Sequence, residues 1–250
     1  MTLAIISDIH ANKEALDAVL ARIDEAGISS VACLGDVVGY GPDPDACVAA
    51  VRARTEDVIR GNHDKAAAGL IDLQWFNPVA RSAALWTRST VRPETLEQIR
   101  RLPEGPRVLS ADARVLLCHG TPHDEDAYLL DAGSVQESFR TLDSRYPGVR
   151  FCLLGHTHVP IVVRRAAGGR PEVIRGREEV GLERGATYLI NPGSVGQPRD
   201  GIALASFGIL DTDSMTYRNV RLRYDVRETR QKILDAGLPA SLAHRLGEGR

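Results

Sequence analysis

The sequence lacks the features that mark an exported or membrane protein. No apolar run in its 250 residues approaches the roughly 18–20 residues that a membrane-spanning helix needs, and mean hydropathy is −0.17. The N-terminal stretch MTLAIISDIH has no basic segment and soon reaches an aspartate and a histidine, so we expect a first strand there rather than a signal peptide. These absences argue against a membrane partner and favour a cytoplasmic location.

Cysteine is scarce, and its spacing is not that of a metal-binding or redox motif. The four cysteines form no CxxC pair, and Cys33, Cys118 and Cys152 lie inside apolar runs. A reduced cysteine in an apolar run behaves as a small buried hydrophobe. We therefore predict that all four, including Cys47, are reduced core residues.

The chain also lacks a strong excess of charge of either sign. Its formal net charge is −2, so there is no strong signal for nucleic-acid binding. The segment Tyr217–Lys232 carries five arginines, and we interpret it as a solvated face. No motif fixes the oligomeric state.

The first part of the chain alternates strand-like and helix-like segments. Strands are predicted at residues 3–7, 30–34 and 56–60, and a helix is predicted after Asn12, a residue type that caps helix N-termini well. A second helix is predicted at residues 44–54, with proline at its start. This alternation at short spacing indicates an α/β layered fold.

Later segments change in character. Residues 65–103 are rich in alanine and helix-start prolines and predict a small helical insertion. From Val159 onward the pattern is strand-rich, and a C-terminal helical tail is expected at about 225–250. We expect one domain spanning residues 1–250.

Polar clusters follow five strand-like runs. Ligands bind beyond the carboxyl ends of strands in layered α/β folds, so these clusters are expected to converge on one place. The five clusters are Asp8-x-His10, Gly35-Asp36, Gly61-Asn62-His63-Asp64, His119-Gly120 and Gly155-His156-x-His158.

The residue types in these clusters suit metal ions. Two carboxylates, four imidazoles and one amide oxygen form a mixed oxygen and nitrogen donor set, which suits manganese, iron, zinc, nickel or cobalt. One metal cannot use seven protein ligands and stay open to substrate, whereas two metals that share one carboxylate can. The set is Asp8, His10, Asp36, Asn62, His119, His156 and His158.

Each cluster taken singly has a simpler interpretation. Asp8 and His10 could cap a helix, Asn62 and Asp64 could form a turn, and His119 could be a satisfied core histidine. All of these separate interpretations would have to be true at once, at five strand ends, and such a coincidence is not favoured by chance. The remaining histidines, His123 and His244, have no such context, and we interpret them as a loop and a surface residue.

The five clusters, in this order and between residues 8 and 158, resemble the sequence blocks of the calcineurin-like metallophosphoesterase superfamily. The stretches GDVVGYGPDPDACV and NPGSVGQPRDG resemble its small bacterial and archaeal phosphodiesterase branch. The resemblance implies two mixed β-sheets packed as a sandwich and flanked by helices.

The resemblance also implies a role for each residue of the clusters. Two divalent metal ions would be bound, with Asp36 bridging them. The first ion would be held by Asp8, His10, Asp36 and His158, and the second by Asp36, Asn62, His119 and His156. His63 would face the substrate phosphate. Independently of the resemblance, Asn62 is a candidate substrate contact, and Asp64, the neighbour of His63, is a candidate to orient it.

Two ions only partly neutralised by two carboxylates would attract phosphate esters and supply hydroxide for direct attack. We therefore expect a dinuclear phosphodiesterase that acts on a small phosphate ester or a nucleotide, with His63 as general acid or charge stabiliser. Arg199, in a polar loop, is a candidate phosphate contact, although that loop could equally be a surface turn.

Other functions remain open. The alternative enzymes are a dinucleoside-polyphosphate hydrolase and a Ser/Thr protein phosphatase. The alternative without turnover is a metal-binding regulatory scaffold. A metallo-β-lactamase-type hydrolase is less well supported, because the dense HxHxDH run is absent.

Overall fold

The computed structural model describes residues 1–174 and 179–250. Its strands are β1 (Thr2–Ile6), β2 (Ser30–Cys33), β3 (Arg107–Val108), β4 (Val115–Leu117), β5 (Phe151–Leu153), β6 (Ile161–Arg165), β7 (Glu172–Ile174), β8 (Glu179–Gly181), β9 (Thr187–Asn191), β10 (Ala205–Asp211) and β11 (Thr216–Leu222). Its helices are α1 (Lys13–Glu25), α2 (Pro44–Arg54), α3 (Asn62–Ala68), α4 (Pro78–Thr90), α5 (Pro93–Arg100), α6 (Ala132–Arg145), α7 (Val226–Asp235) and α8 (Ala240–Glu248).

These strands form two mixed sheets. The first sheet has the order β2-β1-β10-β11-β8, and the second has the order β3-β4-β5-β9-β6-β7. The pairs β1/β2, β4/β5 and β5/β9 are parallel, and the other pairs are antiparallel. Each sheet therefore contains a parallel part whose carboxyl ends lie together.

The two sheets pack face to face, and helices cover their outer faces. On β1, Leu3 and Ile5 belong to the core between the sheets, whereas Ala4 and Ile6 pack in the core that α1 and α2 share. On the second sheet, the outer residues pack against α6. Each fully buried Leu or Ile contributes about 1.5–3 kcal/mol relative to exposure. The predicted sandwich with flanking helices is confirmed.

Asn12, at the start of α1, makes hydrogen bonds both to its own helix and to a distant loop. The Asn12 side chain accepts a hydrogen bond from the Ala15 amide at 3.1 Å, so the predicted N-cap is confirmed. Its Nδ2 also donates to the Gly196 carbonyl at 2.9 Å. One side chain therefore caps α1 and holds the loop that follows β9.

The predicted strand at residues 56–60 is wrong, because only Val58 makes a β-bridge, to Cys33. The Cys33 amide donates to the Asp57 carbonyl and the Ile59 amide donates to the Cys33 carbonyl. The next amide, of Arg60, turns away to the Pro103 carbonyl at 2.9 Å. The chain thus leaves the sheet after one bridge and enters α3.

Residues 65–103 are helical as expected, with α3, a 3₁₀ turn at Leu73–Trp75, α4 and α5. Helix α4 contacts the C-terminal pair α7 and α8, and the Trp86 indole donates to the Ala236 carbonyl at 3.0 Å. The division into a single domain with an insertion and a tail stays a prediction.

The cysteines and the arginine-rich segment have the environments that the sequence predicts. The four cysteines are free and buried, as predicted. In the Arg-rich segment Tyr217–Lys232, Arg218 pairs with Glu179 and Arg221 pairs with Asp200, which agrees with a solvated face. Within residues 1–174 and 179–250, no helix combines the length and apolarity needed to cross a membrane.

Candidate metal centre

The predicted site residues lie in loops that follow the parallel strands. Asp8 and His10 follow β1, Asp36 follows β2, His119 follows β4, and His156 and His158 follow β5. Since the parallel strands of both sheets end at one edge of the sandwich, their polar loops meet there. Asn62 joins them from the start of α3.

Several of these loop residues have an unusual backbone conformation. The φ angles of Asp8, His10, Asp36, His156 and His158 lie between 50° and 65°. The left-handed region costs a non-glycine residue on the order of 1–3 kcal/mol, and such strain clusters at functional sites. The conformation turns these side chains towards a common centre instead of continuing the strands.

Asp36 occupies the middle of this centre. Its Oδ1 accepts a hydrogen bond from the His63 amide at 2.7 Å. Its Oδ2 is buried without a hydrogen-bond partner, and lies 3.3 Å from His119 Nε2 and 3.7 Å from His10 Nε2. Although burial raises it, the interaction with His119 above all holds the pKa of Asp36 well below 3.8. An ionised oxygen thus faces both halves of the centre.

One half of the centre contains Asp8, His10 and His158. His158 Nε2 lies 3.3 Å from Asp8 Oδ1 and 3.1 Å from His10 Nε2. Asp8 also accepts from the Ser7 hydroxyl at 2.7 Å and from the His156 amide at 3.1 Å. Burial raises the pKa of Asp8 to about 6.

The other half contains Asp36, Asn62, His119 and His156. His119 Nε2 lies 3.1 Å from Asn62 Oδ1. One nitrogen or oxygen atom from each of Asp36, His119 and His156 lies within 4.8 Å of the others, as do those of Asp8, His10 and His158. The structure therefore brings all seven predicted ligands into two adjoining groups.

Backbone carbonyls hold three of the imidazoles by their Nδ1 atoms, which leaves Nε2 to face the centre. The pairs are His10 with the Val38 carbonyl at 3.3 Å, His119 with that of Leu34 at 2.8 Å, and His158 with that of Gln197 at 2.6 Å. This arrangement is typical of metal-ligating histidines, because it fixes both the tautomer and the ring direction.

These contacts test whether the residues fit metal ions. If Nδ1 of both His10 and His158 carries the proton, their Nε2 atoms are two acceptors only 3.1 Å apart. Two facing acceptors repel one another unless a cation lies between them, and the buried Asp36 Oδ2 beside them has no hydrogen-bond partner. The donor types and their convergence therefore fit divalent metal ions.

Most of the imidazoles in the centre are uncharged. Burial lowers the pKa of His63 to about 4 and that of His156 to about 3, and holds the pKa of His10 and His158 well below 6.5. His119 is the exception: burial lowers its pKa, but the interactions with Asp36, Asp8 and the Leu34 carbonyl together raise it to about 10. Neutral imidazoles are the form that metal ions require.

His63 lies at the edge of the centre, and its Nδ1 has no hydrogen-bond partner. Its ring packs 4.2 Å from Tyr40 and 5.2 Å from Phe76, measured between ring centroids. The Asp64 carboxylate bonds to the backbone amides of Gly61 at 2.9 Å and Val38 at 3.1 Å. Asp64 thus ties the loop of Gly61 to the loop of Val38. If Asp64 orients His63, it does so by holding this backbone in place.

Gly61 allows a close backbone approach in the centre. A Cβ at this position would lie 2.2 Å from Asp36 Oδ1 and 2.6 Å from the Asp36 amide nitrogen. Real Cβ atoms essentially never come so near another heavy atom. Glycine is therefore required for the Asn62 loop to reach Asp36.

The loop after β9 supports the centre from behind. Asn191 Nδ2 donates to the Gly155 carbonyl at 2.6 Å, and the Ser194 hydroxyl donates to the Asp8 carbonyl at 2.7 Å. The Arg199 guanidinium is half-buried, bonded to Gln197 Oε1 at 2.9 Å and 6.0 Å from the Tyr40 ring. Residues 191–198 are buried, so this loop is not a simple surface turn.

Sequence reasoning missed several residues around the centre. Tyr128 stacks on His156 at 4.0 Å between ring centroids, and Ser7 bonds to Asp8. Tyr40 and Phe76 pack on His63. A single serine or aromatic residue carries no periodicity or spacing, so nothing in the sequence could distinguish these from ordinary surface or core residues.

The chain has clear similarity to known proteins. A family model described as the calcineurin-like phosphoesterase superfamily domain matches residues 1–215. The uncharacterized protein MJ0912 of Methanocaldococcus jannaschii is 37% identical over 249 residues, which cover 99% of this chain and 98% of that protein.

Two crystal structures extend the comparison. A metallophosphoesterase from Sphaerobacter thermophilus is 38% identical, with a TM-score of 0.84 over 100% of this chain and 99% of that one. The hypothetical protein PH1004 from Pyrococcus horikoshii OT3 shares the fold at 20% identity, with a TM-score of 0.79 over 100% and 98% of the two chains. By the extent of these matches, the chain belongs to the calcineurin-like phosphoesterase superfamily.

Proposed function

We propose that this protein is a phosphodiesterase whose centre holds two divalent ions that share Asp36. The observation that carries the proposal is the buried, unpartnered Asp36 Oδ2, which faces His10 in one group and His119 in the other. Asp8, His10 and His158 would complete the first ion's ligands. Asn62, His119 and His156 would complete the second's. Bound there, the ions would polarise a phosphoryl oxygen and supply hydroxide near neutral pH.

His63 is proposed to act on the phosphate through an N–H group. With its pKa lowered to about 4 by burial, the ring is neutral at pH 7 and carries one N–H. A neutral imidazole is a weak proton source but a good hydrogen-bond donor. These properties favour stabilisation of charge on a phosphoryl oxygen over full proton transfer to the leaving group.

Arg199 is proposed to provide a second contact with the phosphate. Its guanidinium lies 6.0 Å from the Tyr40 ring, which itself packs against His10 and His63. Arg199 Nε and Nη2 both donate to Gln197 Oε1, which fixes the direction of the guanidinium group. Binding of an anion by this group therefore loses little additional conformational entropy.

We infer a preference for diesters from the charge of the site, while the space beside the centre allows the ester substituent to be large. A cavity of about 530 Å³ adjoins Asn62, His63 and His156 and can accept an ester substituent much larger than a bare phosphate. A diester also carries one negative charge fewer than a monoester dianion. The single arginine proposed to contact the phosphate suits the smaller charge.

Turnover of two chromogenic substrates tests the proposal. With Mn²⁺ present, hydrolysis of bis(p-nitrophenyl) phosphate should exceed hydrolysis of p-nitrophenyl phosphate. Replacing the shared carboxylate (Asp36→Asn) should abolish both, while the exposed-surface control His244→Ala should not change either. Binding of metal with no turnover of either substrate across Mn²⁺, Fe²⁺, Zn²⁺, Ni²⁺ and Co²⁺ would contradict the proposal and favour a regulatory scaffold.

A further inference from the structure

The cavity beside the candidate metal centre is lined largely by aromatic rings. Its volume of about 530 Å³ falls within the roughly 300–1,000 Å³ of small-molecule sites. We call it the aromatic cavity and define it by its ring-bearing lining residues Tyr40, His63, Trp75, Phe76, Tyr128 and His156. Two of these, His63 and His156, also belong to the centre, so a phosphate ester bound there would extend its substituent into this space.

Trp75 is the most unusual residue of the cavity, because its side chain is 86% exposed. The turn that carries it is well held: Leu73 is buried, and the Asp72 carboxylate accepts from the Gln74 amide at 2.9 Å. Exposed large aromatic side chains on ordered segments are typical of binding surfaces. Trp75 therefore presents an indole face at the mouth of the cavity.

The other rings of the cavity are ordered by contacts with the centre. Tyr128 stacks on His156 with an interplanar angle of 22°, and Phe76 packs on His63. The loop that carries Tyr128 is tied to α3, because the buried Lys65 ammonium bonds to Glu125 at 2.9 Å and Asp126 at 2.7 Å. Rings that are fixed before binding lose little entropy when a ligand stacks on them.

Charge restricts what this cavity can bind. Among the described residues that line it, Asp72 and Asp126 are carboxylates and none is lysine or arginine. Lys65 pairs with Asp126, so a substituent that carries further phosphates would meet the charge of Asp72 and no lysine or arginine among the described lining residues. The amide groups of Asn62 and Asn77, which also line the cavity, can bond to the polar edge of an uncharged ring.

We propose that the aromatic cavity binds a flat, uncharged ring attached to the phosphate ester, stacked against Trp75 and adjoining Phe76 and Tyr128. This inference rests on the proposed function, because it makes the ring part of the substrate of the same centre. The ring can be a nucleobase or another aryl group, since both present a π-face. A dinucleoside polyphosphate is disfavoured, because no lysine or arginine among the described lining residues is placed to bind its further phosphates.

Calorimetric binding to the manganese-loaded protein tests the proposal without relying on turnover. The probes are adenosine 5′-monophosphate, phenyl phosphate and ribose 5-phosphate, which share a phosphate and differ in whether they carry a ring. Stacking on a protein aromatic contributes ~1–3 kcal/mol, so at least one ring-bearing probe should bind about tenfold or more tightly than ribose 5-phosphate. Comparison of the two ring-bearing probes separates a nucleobase from a smaller aryl group.

Substitutions at Trp75 test whether this residue causes the tighter binding of ring-bearing probes. Trp75→Ala should bring the ratio of ring-bearing to ring-free affinity towards one, and Trp75→Phe should restore most of it. Leu85→Ala is the matched control, because Leu85 is also an exposed apolar residue (47%) on the neighbouring helix α4. Equal affinities for all three probes, or a ratio that Trp75→Ala leaves unchanged, would overturn the inference. Turnover of bis(p-nitrophenyl) phosphate alongside either result would leave the proposed function standing.

Discussion

At the scale of single residues, the centre depends on which nitrogen of each histidine faces inward. Carbonyls of Val38, Leu34 and Gln197 hold Nδ1 of His10, His119 and His158. Each ring therefore offers one nitrogen to one side of Asp36. Although His156 and His158 are only two positions apart, they fall in different groups of the centre.

This division predicts the metal content of two variants. His156→Ala and His158→Ala should each lose about one of two ions per chain, since each removes a ligand from one position and leaves the other position intact. The backbone amide that His156 donates to Asp8 is retained in the alanine variant. Elemental analysis of the purified proteins provides the measurement, with His244→Ala as the control. Loss of both ions from either variant would show that the positions are not separate.

We also predict that metal binding releases a proton from His119. Although burial lowers it, interactions with Asp36 above all raise the pKa of His119 to about 10, so this ring carries a proton at pH 7 in the metal-free protein, and a metal ion must displace it. Affinity for metal should therefore rise with pH up to about 10. Near pH 7.5, binding should release about one proton from this residue. Calorimetry in buffers of different ionisation enthalpy measures the release. His119→Asn should reduce it by one proton, and an unchanged value would contradict the assignment.

The sequence allowed prediction of the residues that converge at the candidate metal centre, but not of the residues that surround them. Asp8, Asp36 and the histidines stand directly after apolar strands, so their position can be read from the sequence alone. Tyr128 reaches His156, and Trp75 reaches the same cavity, only because the chain folds back from two distant segments. No local pattern encodes that approach.

At the scale of elements, the loop 121–131 is held over the centre by one buried cation. Although burial lowers it, hydrogen bonds to Asp126 and Glu125 raise the pKa of Lys65 above its usual 10.5. A raised pKa means that the ion pair stabilises the fold fully below pH 10.5. The contribution is lost only as the pH rises through the higher pKa of the folded state.

Lys65→Met should therefore loosen this loop at all neutral pH values. We expect a loss of about 1–2 kcal/mol in the free energy of unfolding, since the cation is buried while its partners are partly exposed. Limited proteolysis within residues 121–131 should also become faster. The matched control is Lys13→Met, which removes a surface pair with Asp17 and should cost less than about 0.5 kcal/mol. Equal effects of the two substitutions would refute the tethering role.

Elements with strong local signals were predictable, and those set by tertiary contacts were not. Asn12 caps α1 as its type and position indicate. The apolar run around Val58 looked like a strand, but the Arg60 amide bonds to Pro103 instead of continuing along the sheet. The polar loop after β9 gave no sign that it would be buried beneath Asp8 and Gly155.

At the scale of the whole molecule, the sandwich brings the carboxyl ends of parallel strands from two sheets to one edge. Strand alternation predicted an α/β fold, while the arrangement of two face-to-face sheets came from the family resemblance rather than from periodicity. Neither sheet alone holds the complete set of ligands, because Asp8 and Asp36 follow the first sheet and His119 and His156 follow the second. Each group draws on both sheets, because His158 of the second sheet joins Asp8 and His10, and Asp36 of the first sheet joins His119 and His156. The packing between the sheets therefore assembles each group.

The central claim, that two ions sharing Asp36 carry the activity, is tested most directly by titrating metal-stripped protein with Mn²⁺. Bound ions per chain and hydrolysis of bis(p-nitrophenyl) phosphate are recorded on the same samples. We predict that binding saturates near two ions per chain and that activity rises chiefly as the second ion binds. Saturation at one ion, or full activity before the second ion binds, would contradict this account.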